Sequence, residues 1–88
     1  MVVLEMVPAD VAASVTKELA IPTIGIGAGP DCDGQVLVWH DMAAFPAGGH
    51  RPRFAKQWAS VGADMTAAAA AYKREVATGE FPAAEHCF

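Results

Sequence analysis

No stretch of this sequence approaches the roughly 18 consecutive apolar residues that a membrane-spanning helix needs. The apolar start, Met1-Val2-Val3-Leu4, meets Glu5 at once and has no positively charged region before it, so it does not read as a signal peptide. Basic residues are scarce: six Lys and Arg stand against ten Asp and Glu, for a formal charge of -4. Such a surface repels a phosphate backbone, which argues against nucleic acid as a partner. Only two cysteines occur, Cys32 and Cys87, far apart and without the Cys-x-x-Cys spacing of a redox or zinc site, so they read as reduced thiols. Together these absences predict a soluble, cytoplasmic protein. Large apolar side chains are also thin on the ground, because Ala and Gly supply much of the 53% hydrophobic content and bury little area each. A single small domain of marginal stability is expected.

What is present is patterned as α/β. Met1 to Val7, mostly Val, Leu and Met, suits a strand buried on both faces of a parallel sheet. Pro8 fits a first helical turn, Asp10 places a negative charge near the helix start, and Val11, Val15 and Leu19 repeat as one apolar stripe opposite Ser14, Lys17 and Glu18. Pro22 stops this helix near Ile21. Thr23 to Gly29 reads as a second buried strand with a glycine-rich end, Pro30 to Gly34 as a turn, and Gln35 to His40 as a third strand closed by His40-Asp41. The order is β-α-β-β, followed by a loop containing Pro46, Gly48 and Gly49. Phe54, Trp58 and Val61 then predict a short helix from about Pro52. Asp64 is the expected N-cap of a longer helix through the alanine run, with Met65, Ala69, Tyr72 and Val76 on one face and Gly79 past its end. Residues 81–88 read as an irregular tail.

Strands joined by a helix, with nothing to seal the sheet edges, look like a slice of a larger α/β protein. Three short strands cannot close a barrel.

Glu5 is the first candidate for chemistry. A carboxylate at the end of an apolar strand sits where desolvation raises its proton affinity, which suits a general acid or base; a strand-end Glu that faces solvent or pairs with a Lys or Arg is the plainer alternative. Gly25, Gly27 and Gly29 lack the Walker Lys-Ser/Thr pair and the interval of the dinucleotide fingerprint, so they read as positions of close packing or close ligand approach. In a strand, His40 and Asp41 point to opposite faces and have separate roles. His50 and His86 show no ligand spacing to each other, and Asp31 and Asp33 flank Cys32 in a turn that lacks the downstream Glu of a calcium loop.

Read together, Leu4-Glu5-Met6-Val7-Pro8, Ile21-Pro22-Thr23-Ile24-Gly25-Ile26-Gly27-Ala28-Gly29, Asp33-Gly34-Gln35-Val36-Leu37-Val38-Trp39-His40-Asp41 and Gly79-Glu80-Phe81-Pro82 with Glu85-His86 resemble the ketopantoate hydroxymethyltransferase family. The match runs in order along the whole chain. The resemblance implies a (β/α)8 barrel of the phosphoenolpyruvate/pyruvate type, of which 88 residues would be a C-terminal part, since such barrels take about 250 residues. On that basis residues 1–42 are the last barrel strands with one intervening helix, 50–79 the terminal helices and 80–88 the tail, in one partial domain. The resemblance makes Glu5 the proton acceptor, in transfer of a hydroxymethyl group from 5,10-methylenetetrahydrofolate to 3-methyl-2-oxobutanoate to give 2-dehydropantoate, a step toward pantothenate. It also implies a magnesium ion whose ligands lie on earlier strands, with no metal or cofactor ligand in this chain, and a homo-oligomeric intact enzyme. Cys87 stands where the family suggests Ser, and the 43–48 loop is individual. The isolated chain is expected to be inactive, and the alternative is a non-enzymatic remnant or a module that associates with itself.

Overall fold

A computed structural model describes residues 1–45 and 49–88; Pro46, Ala47 and Gly48, which the sequence assigns to the individual loop, lie outside the described residues. Three strands form one parallel sheet in the order β1 (Val2–Glu5), β2 (Thr23–Ile26) and β3 (Gly34–Gln35). Val2 pairs with Thr23 and Glu5 with Ile26, while Ile24 pairs with Gly34. Parallel strands need a crossover, and α1 (Ala9–Glu18) supplies the one between β1 and β2.

The helix begins where expected, with Pro8 as N-cap, and has given way to extended backbone at Leu19, ahead of Pro22. Its contact face is not the predicted one. Ala12 is fully buried and the Thr16 hydroxyl lies 2.8 Å from that of Thr23, whereas Val11 and Leu19 are 47% and 41% exposed. Small residues let helix and sheet approach closely, so the larger stripe points away from this sheet.

The Thr16–Thr23 hydroxyl contact joins the helix to the sheet, and the Asp33 carboxylate joins β2 to the turn before β3. Thr16 Oγ1 donates to the Ala12 carbonyl at 2.8 Å, and Thr23 Oγ1 lies 3.2 Å from Asp33 Oδ2, to which it donates. Asp33 Oδ2 also accepts from the Thr23 amide at 2.8 Å, and the Asp33 amide donates to Thr23 Oγ1 at 3.2 Å. Asp33 therefore caps the start of β2 and sets where β3 begins, while the wholly buried Thr23 leaves no polar atom unmatched.

The third strand is shorter than the sequence suggests. After Gln35 only the Val36 amide still reaches β2, donating to the Gly25 carbonyl at 3.0 Å, and Trp39–Met42 forms a short helix, α2. The cause is geometric: β2 ends at Ile26 and Gly27 turns aside at φ 63°, so residues beyond Val36 find no strand to pair with. The helix expected from Pro52 is likewise absent. The Ala55 amide closes one turn on the Pro52 carbonyl at 3.0 Å, Phe54 is drawn against Gly27, and the Trp58 amide bonds the Met42 carbonyl at 2.8 Å.

The long helix, α3 (Val61–Thr78), starts from Ser60 and ends at the left-handed Gly79, as its position past the end predicted. Asp64, expected as the N-cap, stands instead within the first turn, where its charge complements the helix dipole. Two hydrogen bonds, from the Val61 amide to the Ala43 carbonyl and from the Gly62 amide to the Ala44 carbonyl, tie its start to the end of α2. Met65 and Tyr72 are more than half exposed. The tail is not wholly irregular: Phe81 packs edge-on against Tyr72, and Ala84–His86 forms a 3-10 turn. The radius of gyration is 21.3 Å, against about 12 Å for a compact domain of this length. No helix among the described residues is long and apolar enough to cross a membrane.

Candidate active site

In a strand, side chains alternate between faces, and registered neighbours in a sheet share a face. Thr23 touches α1, so Val2, Leu4 and Gly25 belong to the helix-covered side, and Val3, Glu5, Ile24 and Ile26 to the opposite one. Glu5 thus stands at the C-terminal end of β1, on the face turned away from α1. It is exposed, and among the described residues it takes part in no hydrogen bond or ion pair. The desolvation expected of a strand-end carboxylate is not supplied by this chain.

The Glu5-Met6-Val7-Pro8 segment is a strand-to-helix connection with one strained residue. Met6 has φ 53°, a left-handed conformation that costs a non-glycine residue about 1–3 kcal/mol. Its amide still donates to the Ile26 carbonyl at 2.9 Å, so the chain leaves the sheet abruptly after Glu5 and Pro8 can cap α1. Nothing in the sequence signals the left-handed Met6.

At the same end of the sheet lies an open cavity of about 990 Å³, walled by Met6, Val7, Pro8, Gly27, Arg53 and Phe54. Glu5 adjoins this wall through Met6 but does not itself line it. The three glycines are explained by close approach. A β-carbon on Gly25 would stand 2.9 Å from the Cys32 sulfur, one on Gly27 2.7 Å from the Phe54 ring, and one on Gly29 2.5 Å from the Ala9 β-carbon. Gly27 and Gly29 also have φ of 63° and 79°. Sequence reasoning missed Arg53 and Phe54, because it placed both on a helix and the fit of a ring to a distant glycine leaves no local signature.

His40 and Asp41 sit on α2 and not at a strand end, so the opposite-face reading does not hold. They join His50, Arg51 and Gln57 around a hollow of about 50 Å³ that shares no wall residue with the larger cavity. The His40 ring also stacks near Trp39, 4.6 Å between centroids. His86 accepts the Ala83 amide at Nδ1, 3.0 Å away, and lies against Phe81, a local structural role. Among the described residues no three His, Cys, Asp or Glu side chains gather as they would around a metal ion.

A sequence model of ketopantoate hydroxymethyltransferase matches residues 1–84. The chain belongs to that family. It is 92% identical over all 88 residues to the 3-methyl-2-oxobutanoate hydroxymethyltransferase of Corynebacterium jeikeium (strain K411), of which it covers 31%. It is 60% identical over 87 residues, 99% of the chain, to the protein of that name from Mycobacterium ulcerans (strain Agy99), covering 29% of it. The Mycobacterium tuberculosis (strain CDC 1551 / Oshkosh) protein of the same name is 59% identical over 87 residues, again 99% of the chain and 31% of the relative. The chain therefore spans about a third of the length of the ketopantoate hydroxymethyltransferases it matches.

Proposed function

We propose that this chain is the part of a 3-methyl-2-oxobutanoate hydroxymethyltransferase that carries its proton acceptor, Glu5. The observation behind this reading is the position of Glu5: a carboxylate at the C-terminal end of a parallel strand, on the face turned away from α1. We infer that the sheet is a wedge of a (β/α)8 barrel. Barrel helices lie outside, so the face bearing Val3, Glu5, Ile24 and Ile26 would be the lumen, and the C-terminal ends of the strands are where such barrels hold their chemistry. Strands completing the barrel would then surround Glu5 and remove it from bulk water.

In this role Glu5 takes the proton from C3 of 3-methyl-2-oxobutanoate, leaving the electron pair as an enolate. The enolate carbon forms a bond to the one-carbon unit carried by 5,10-methylenetetrahydrofolate. Both bonds from that carbon to the folate nitrogens break, water supplies its hydroxyl group, and the proton taken from C3 and the second proton of the water go to the two nitrogens, so that 2-dehydropantoate and tetrahydrofolate are the products. The resemblance also implies magnesium to hold the oxo acid. The described residues do not fit such an ion, so proton transfer at Glu5 is the chemistry assigned to this chain. The reading extends to a cytoplasmic homo-oligomer.

The test is an exchange: replace the matching segment of the Corynebacterium jeikeium relative with this chain, and assay 2-dehydropantoate formation. The exchanged enzyme is expected to turn over like its parent, and the isolated 88 residues are expected to give no product. A folded exchanged enzyme without activity would overturn the proposal.

A further inference from the structure

Glu5 is the last residue of β1 and Ala9 the first of α1, so Met6, Val7 and Pro8 alone carry the chain out of the sheet and into the helix. Two of these have little freedom. Pro8 is held by its ring, at φ -51°, and a residue that precedes proline is confined to extended backbone, which restricts Val7. The change of direction falls on Met6, which takes it with a left-handed φ of 53°. Its side chain is 70% exposed, so packing within this chain does not impose that conformation.

Glu5 pairs with Ile26, which puts Met6 and Gly27 at the same level, one residue beyond the paired ends of the two strands. Both are left-handed, at 53° and 63°. At Gly27 the residue type is explained, because a β-carbon would stand 2.7 Å from the Phe54 ring and glycine adopts a positive φ without steric cost. Met6 has a β-carbon and no such relief, yet the connection is held at both ends. The Met6 amide donates to the Ile26 carbonyl at 2.9 Å, and the Ala9 β-carbon fills the space that a side chain on Gly29 would need, which fixes where α1 starts. With Met6 extended, Ala9 could keep its place only if the Glu5-Met6 peptide rotated and its bond to Ile26 broke. Glu5 would turn with that peptide, since among the described residues its side chain has no hydrogen bond or ion pair and only its backbone aims it.

We propose, resting on the assignment of Glu5 as proton acceptor, that Met6 is a positioning residue for that carboxylate. Its left-handed backbone, and not its side chain, sets the direction in which Glu5 meets C3 of the oxo acid.

The test follows C3 proton exchange of 3-methyl-2-oxobutanoate in deuterium oxide, without the one-carbon donor, in the segment-exchanged relative. Three substitutions separate backbone from side chain. Isoleucine keeps an apolar chain of similar size but resists a positive φ, whereas asparagine and glycine accept one and discard the methionine side chain. Met6→Ile is expected to slow exchange about tenfold to a hundredfold at saturating oxo acid, with the half-saturating concentration within about twofold of the parent. Met6→Asn and Met6→Gly should each lose less than about threefold. In a Glu5→Gln background Met6→Ile should cost nothing further, because a residue that acts through Glu5 then has nothing left to position.

Slow exchange in Met6→Asn and Met6→Gly would show that the side chain matters, and would overturn the proposal whether or not Met6→Ile folds. A further loss from Met6→Ile on top of Glu5→Gln would overturn it as well. Glu5→Gln alone reads the proton-acceptor assignment. Equal exchange with and without Glu5 sinks that assignment and this inference with it, whereas slow exchange in Glu5→Gln beside parent-like rates in all three Met6 variants sinks this inference only.

Discussion

Gly29 and Gly79 share a positive φ, 79° and 80°, yet their surroundings differ completely. A β-carbon on Gly29 would meet Ala9 at 2.5 Å, whereas one on Gly79 would meet nothing within 4 Å. The same contrast holds for the regions around them. In residues 1–36, hydrogen bonds between Thr23 and Asp33 lock the turn before β3 to the sheet, the Thr16 hydroxyl lies against that of Thr23, and Gly25, Gly27 and Gly29 each have a side chain pressed against them. Along α3, Met65 and Tyr72 stand exposed and the helix is joined to the rest mainly at its start. The first region is defined by its own contacts, and it also carries Glu5 and most of the cavity wall. The second is defined by helix propensity and a cap, and its apolar face is largely exposed, with Tyr72 meeting Phe81 of the tail.

Substitutions separate the two regions in order of size. In the segment-exchanged relative, Glu5→Gln should lower kcat by roughly 100- to 10,000-fold in steady-state assays, the span typical of a lost general base. Gly29→Ala comes next: the left-handed backbone and the collision with Ala9 together cost about 2–4 kcal/mol in urea unfolding, and less would mean that the helix start yields easily. Thr23→Val removes the hydroxyl shared by Thr16 and Asp33 and should cost about 1–3 kcal/mol by the same measurement. Gly79→Ala, which meets only the backbone penalty, should cost about 1 kcal/mol. If Gly29→Ala and Gly79→Ala proved equal, the contrast between the packed and unpacked regions would be wrong.

How much of this was legible depended on whether the cause was local. The first two strands, the helix between them and the stop at Gly79 follow from periodicity, proline placement and glycine, all of which act within a few residues. The stripe of Val11, Val15 and Leu19 was also real, but periodicity identifies a helix without saying which face meets the sheet, and close approach selected Ala12 and Thr16. The third strand failed beyond Val36 because strand length depends on a neighbour, and β2 turns away at Gly27. The helix expected from Pro52 gave way to the distant fit of Phe54 against Gly27. At the site, the apolar run pointed to Glu5 at a strand end, while the strained Met6 and the return of Arg53 and Phe54 to the cavity required the folded chain.

The most direct test of the account follows the proton itself. The segment-exchanged relative would be incubated with 3-methyl-2-oxobutanoate in deuterium oxide without the one-carbon donor, and loss of the C3 proton signal followed by NMR. Exchange at C3 is expected with Glu5 present and should slow at least a hundredfold with Glu5→Gln. Equal exchange rates in the two enzymes would show that another group takes the proton, and would contradict the role assigned to Glu5.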